Sequence, residues 1–157
     1  MTDVTASILV IDDDKTVRQT LSMALQEEGY VVDEAADGKE AVEKTYAKYY
    51  NLAIVDWRLP DIEGTKLLDQ LKKTVPPMMK IMLTGYPSID NAIDAVNKRF
   101  DAFFPKPVDF EKLLERIREL LREQEGARSF SEELMVRFIE TRSEELLGNR
   151  GNTRTPK

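Results

Sequence analysis

Ser7-Ile8-Leu9-Val10-Ile11, followed at once by Asp12-Asp13-Asp14, decides the reading of this chain. A continuous apolar, β-branched run bounded by charge has the pattern of a strand buried on both faces, the habit of parallel sheets. The acids that follow stand at its carboxyl end. Asp14 suits the N-cap of a helix over about Lys15–Glu28, with Val17, Leu21, Ala24 and Leu25 as its apolar face and Gly29 at C′.

Outward from this stretch, the strand-then-helix pattern repeats. Tyr30–Ala35 reads as a strand, Asp37-Gly38 as a turn, and Lys39–Tyr49 as a helix with Ala41, Val42, Thr45 and Tyr46 on one side. Leu52–Val55 is a third strand that ends at Asp56. The loop Trp57–Gly64 leads to a helix carrying Leu67, Leu68 and Leu71, which Pro76-Pro77 breaks. Lys80–Leu83 is a fourth strand ending at Thr84-Gly85, and Ser88–Lys98 a helix. Ala102–Phe104 is a short fifth strand ending at Lys106-Pro107, and Asp109 caps a helix over about Phe110–Glu125. Five such units imply an α/β fold: a doubly wound, flavodoxin-like parallel sheet of order 2-1-3-4-5 with five helices.

Glu125-Gly126-Ala127 reads as a break. Beyond it Phe130–Leu147 forms an additional amphipathic C-terminal helix, with Ser129 and Glu132 as a capping box. The expected organisation is a domain over residues 1–125, the extra helix over 126–148 and a disordered tail over 149–157.

The 157 residues include no Cys and no His. That removes thiol and imidazole nucleophiles, disulfides and most zinc sites, so any metal must be held by oxygen, which suits a hard cation such as Mg²⁺. A net charge of −6 argues against nucleic-acid binding. The chain offers neither a membrane-length apolar run nor a signal-peptide pattern, and a cytoplasmic location is expected.

In an open parallel sheet the chemistry sits at the carboxyl ends of the strands. Here those ends carry Asp12 and Asp13, Asp56, Thr84 and Lys106. Three converging carboxylates repel one another and require a cation, which Lys106 and Mg²⁺ would supply. A carboxylate is also a competent nucleophile toward phosphorus, and the Thr84 hydroxyl can donate to a phosphoryl oxygen. Singly, each residue has an ordinary explanation: a helix cap for Asp56, a solvated Lys106, a plain turn at Thr84-Gly85. The ordered set is what carries the reading.

Residues 7–124 resemble the receiver domain of two-component response regulators. The matching pieces are Ile8-Leu-Val-Ile-Asp-Asp13, Asp56-Trp-Arg-Leu-Pro-Asp-Ile-Glu-Gly64, Leu83-Thr-Gly-Tyr86 and Phe104-Pro-Lys-Pro107. The resemblance implies a phosphorelay protein that accepts a phosphoryl group on Asp56 from a histidine kinase or phosphotransfer protein, and is not a metabolic enzyme. It implies Mg²⁺ held by Asp13, with Asp12 beside it, by Asp56 and by the backbone carbonyl of Arg58. Lys106 would pair with Asp56 and its phosphate, across a cis Lys106-Pro107 bond. Thr84 and Phe104 would form a switch, with Phe104 limited to packing because it lacks a tyrosine hydroxyl. Arg58 and Tyr86 would influence phosphate hydrolysis.

The expected output is protein–protein contact with a downstream target, without direct nucleic-acid or membrane binding, because only about 30 residues follow the domain. A homodimer through the C-terminal helix or the last strand-helix face is one form of it. A rival reading takes Asp12-Asp-Asp14-Lys-Thr16 as the D-x-D-x-T motif of haloacid-dehalogenase-like phosphatases, with Asp12 as nucleophile and Asp14 as acid-base group. It leaves Asp56 without a role.

Overall fold

The computed structural model describes residues 5–85, 88, 90, 93, 97 and 100–151. Its elements are β1 (Ser7–Ile11), α1 (Lys15–Glu27), β2 (Val31–Ala35), α2 (Gly38–Ala47), β3 (Leu52–Asp56), α3 (Gly64–Leu67), β4 (Met79–Thr84), β5 (Ala102–Pro105) and α4 (Phe110–Gly151). Tyr86 and most of the helix expected over Ser88–Lys98 lie outside the described residues. All strand pairs are parallel and the order is β2-β1-β3-β4-β5, as the sequence pattern predicts.

Side chains alternate across each strand, so one strand feeds two cores. Leu9, Ile11, Ala53 and Val55 face a cluster with Ala41, Leu67, Leu71 and Met82. Ile8, Val10, Leu52 and Ile54 face the other, with Leu21 and Leu25 of α1 and Leu113, Leu114, Ile117 and Leu120 of α4. Fully burying each large aliphatic residue contributes about 2 kcal/mol. The sheet is therefore held from both faces, and its carboxyl edge becomes a fixed platform.

Local signals set the helix ends. The Asp14 carboxylate accepts the N–H groups of Thr16 (2.9 Å) and Val17 (3.2 Å) at the start of α1. At the other end Gly29 has φ +96°, its N–H donates to Gln26 O, and Tyr30 N–H donates to Leu25 O. That paired closure is a Schellman turn, which needs a residue that tolerates positive φ.

Three expectations change. The helix over Leu67–Leu71 stops after Leu67, although all three leucines are buried as expected. Lys72 N–H leaves the helical ladder to donate to Thr45 Oγ1 (3.2 Å). The second change is at the expected break: α4 continues through Gly126 to Gly151 as one 42-residue helix, so no capping box forms at Ser129. One helical glycine costs only about 1 kcal/mol, and the Arg128–Glu125 ion pair spans it. Part of the tail expected to be disordered is also helical, as far as Gly151.

Residues up to Gln124 and from Glu125 onward form two compact units. In the first, Gln124 is buried and tied at both ends of its amide. Its Nε2 donates to Asn51 O (2.8 Å) and Pro77 O (2.9 Å), and its Oε1 accepts from Asn51 Nδ2 (3.1 Å). Asn51 Oδ1 in turn accepts Ser7 N–H (2.9 Å). The second unit is helical and carries exposed Phe130, Leu134, Met135, Phe138, Ile139, Leu146 and Leu147.

Candidate functional site

The carboxyl ends of β1 and β3 are adjacent because β1 pairs with β3 in the register Ile11↔Val55. Asp12 follows β1 and Asp56 ends β3, so the two acids stand side by side. Carboxylate oxygens of Asp12, Asp13 and Asp56 all lie within 4.8 Å of one another. Asp12 and Asp56 are buried, whereas Asp13 is exposed.

Lys106 reaches the pair from beyond β5. Its Nζ lies 2.9 Å from Asp12 Oδ2 and 3.3 Å from Asp56 Oδ1. Its N–H donates to the Thr84 carbonyl (2.7 Å), which locks it to the buried end of β4. The Lys106-Pro107 bond is cis, as the resemblance implies. Asp12 Oδ1 is already engaged by Asp14 N–H at 2.9 Å.

The electrostatics follow from burial. Desolvation pushes the Asp56 carboxyl up to about 6, the neighbouring Asp12 charge adds to this, and Lys106 and Arg58 N–H pull against it. Burial also works against the Lys106 ammonium, but its hydrogen bond to Asp12 and the charges of both acids outweigh that and hold its pKa above the ordinary lysine value.

The loop after β3 wraps the site. Trp57 N–H donates to Leu83 O (2.9 Å) and Gly64 N–H to Trp57 O (2.8 Å), and Arg58 and Glu63 form an antiparallel bridge. Arg58 N–H points at Asp56 Oδ1 (3.4 Å), and its guanidinium stacks 5.2 Å from the centre of the Trp57 ring. Gly64 is required here: a Cβ on it would stand 2.6 Å from the Asp56 carbonyl oxygen.

Thr84 is buried at the end of β4. Phe104, opposite Leu83 in the β4–β5 register, is partly buried against the α1/α4-side core. The site thus unites Asp12, Asp13, Asp56 and Lys106, with Thr84 next to Lys106 through the backbone. Sequence reasoning assigned no role to Asp61. Its carboxylate accepts the N–H groups of Gly38 (2.9 Å) and Lys39 (3.0 Å). Those partners lie 22 and 23 positions away, so no local spacing announces them.

The response regulator receiver domain model matches residues 8–118. The chain belongs to this family. Receiver relatives include the response regulator MprA of Mycolicibacterium vanbaalenii, 34% identical over 115 residues that cover 73% of this chain and 50% of the relative. The MprA of Mycobacterium leprae is 35% identical over the same length. The chain spans about half the length of these curated relatives. Among solved structures, a CheY-like receiver domain protein from Methanospirillum hungatei shares 43% identity at a TM-score of 0.73, covering 78% of this chain and 98% of its own. The receiver domain of an HD domain-containing protein from Pseudomonas fluorescens superposes with a TM-score of 0.75 at 26% identity, covering 82% and 96%. Among the described residues of this receiver, no helix is long and apolar enough to cross a membrane.

An acidic cluster is the receiver feature suited to Mg²⁺, and the donor set here fits. Three carboxylates converge, two of them are paired with the Lys106 ammonium, and every donor in the cluster is oxygen.

Proposed function

We propose that this receiver accepts a phosphoryl group on Asp56 from a phosphohistidine of a histidine kinase or phosphotransfer protein, in the cytoplasm, and passes the signal on through protein contacts. The observation that carries this is the placement of Asp56 beside Asp12, Asp13 and Lys106 at the sheet's carboxyl edge. An Asp56 carboxylate oxygen attacks phosphorus, the P–O bond forms as the P–N bond breaks, and the imidazole leaves and takes a proton from solvent. Lys106 moves its donors from the carboxylates to the phosphoryl oxygens. Thr84 donates its hydroxyl to the same group, and Phe104 repacks in response. Asp12, Asp13, Asp56 and the Arg58 carbonyl would hold Mg²⁺, which supplies further positive charge against the phosphoryl oxygens.

The phosphatase reading is less well supported, because Asp14 is committed to two backbone N–H groups of α1 while Asp56 shares the pocket with Asp12. Incubation with acetyl phosphate and Mg²⁺, read by intact mass, tests both. The expected result is gain of one phosphoryl group, lost in Asp56→Asn. A phospho-adduct that survives Asp56→Asn and disappears in Asp12→Asn would overturn the receiver chemistry.

A further inference from the structure

Asp61 lies on the β3–α3 loop, yet both oxygens of its carboxylate serve another element. Oδ1 accepts Gly38 N–H and Oδ2 accepts Lys39 N–H, at the first turn of α2. These hydrogen bonds, that of Gly38 first, hold the Asp61 carboxyl below the usual carboxylate range. The start of α2 already has its own cap, Asp37, which accepts Glu40 N–H (2.8 Å). Asp61 therefore adds a tie between two loops to a helix end that has its own closure.

The other side of the tie is steric. Gly38 faces the same loop so closely that a Cβ there would collide with Ile62 Cγ2 and stand 3.2 Å from Asp61 Oδ1. Within the loop, Leu59 N–H donates to Ile62 O (3.3 Å) and Arg58 bridges Glu63. A shift of Asp61 and Ile62 is thereby carried back to Arg58, whose N–H points at Asp56.

We infer that Asp61 and Gly38 form a clasp that positions the Arg58 backbone for the divalent cation, making Asp61 a positioning residue of the site. This rests on the proposed receiver chemistry. Groups that orient the ligands of a metal typically change its affinity by about 10-fold or more when removed. The clasp acts on cation binding and not on the phosphoryl-transfer step, so its loss should be overcome by excess cation.

The test is Mg²⁺ titration of the full chain, followed by calorimetry and by the fluorescence of Trp57, the one tryptophan in the sequence. Asp61→Ala, the milder Asp61→Asn and Gly38→Ala are compared with wild type, with circular dichroism to confirm folding. The expected result is a dissociation constant raised about 10-fold in Asp61→Ala and Gly38→Ala, and by less in Asp61→Asn. The rate of phosphorylation by acetyl phosphate should recover at saturating Mg²⁺. Variants that melt earlier yet bind Mg²⁺ as wild type does would reduce the clasp to a helix cap and overturn the inference. A rate that stays low at saturating Mg²⁺ overturns it as well. A wild-type chain that takes up no Mg²⁺ overturns the site reading itself and the clasp with it, an outcome set apart by the silence of the wild type.

Discussion

Lys106 Nζ stands closer to Asp12 (2.9 Å) than to Asp56 (3.3 Å). The cation is thus anchored on the acid that is not proposed to react, and Asp56 keeps an oxygen open for attack. Replacing Lys106 by Met should leave Mg²⁺ binding in place, since the carboxylate oxygens that would hold the ion are untouched. It should slow phosphorylation by acetyl phosphate by about 100-fold, the usual loss when a group that stabilises developing charge is removed. Parallel Mg²⁺ titration and initial rates check both halves of the statement.

Asp56 makes the metal-free fold sensitive to pH. Its folded pKa of about 6 lies above its ordinary value, so the folded state binds the proton more tightly. The stability tied to this group is fully present below about pH 4 and is lost as pH rises through about 6. The ceiling is about 3 kcal/mol, which solvent at the pocket mouth reduces to about 1 kcal/mol. In chelator, Asp56→Asn should therefore be more stable than wild type at pH 7.5 by about 1 kcal/mol, with the gap closing toward pH 4. Urea melts at both pH values measure it.

Gln124→Leu removes both ends of a satisfied buried amide and strands the Pro77 carbonyl and the Asn51 Nδ2 group, while the Asn51 carbonyl keeps Met79 N–H. Unmet buried polar groups cost about 1–3 kcal/mol each. We expect a loss of about 2–4 kcal/mol in urea unfolding, with the phosphorylation rate of the remaining folded protein unchanged, because Gln124 bonds to residues at the opposite ends of the strands from Asp56.

Gly64→Ala forces a methyl group against the Asp56 carbonyl oxygen, a backbone atom that cannot move aside. Overpacking of this kind costs about 1–3 kcal/mol. It should lower both the melting temperature and the phosphorylation rate, since the displaced strand end carries the carboxylate proposed to react.

Gly126→Ala should do the opposite. Nothing lies within 4 Å of a Cβ at this position, and the residue sits inside α4. Alanine should stabilise the helix by about 0.5–1 kcal/mol, seen as higher helicity by circular dichroism on heating. No change would mean that the chain does break here.

The sheet was legible because four of its five strands carry an apolar run that leads to a polar residue, and because alternation along Ile8–Ile11 feeds both cores. The convergence of Asp12, Asp13, Asp56 and Lys106 was legible for the same reason: a parallel strand order fixes which ends are neighbours. Gly126 misled, since a glycine punctuates a pattern whether or not the flanking residues favour helix strongly enough to run through it. At the early end of α3 the Asp69 and Gln70 N–H groups turn to carbonyls three positions back, and Lys72 N–H then goes to Thr45 Oγ1, 27 positions away. Asp61 and Gln124 were unreadable because their partners are remote in sequence and mostly backbone groups, which carry no residue signature.

Asp12 and Lys106 are 94 positions apart and yet share one hydrogen bond. A ribosome adding about 5–20 residues per second delivers the second partner roughly 5–20 s after the first. Through that interval Asp12, and later Asp56, lack the Lys106 ammonium that pairs with them in the folded domain. No fragment that stops short of Lys106 can hold the finished pocket, so its parts come together only once that residue has been made.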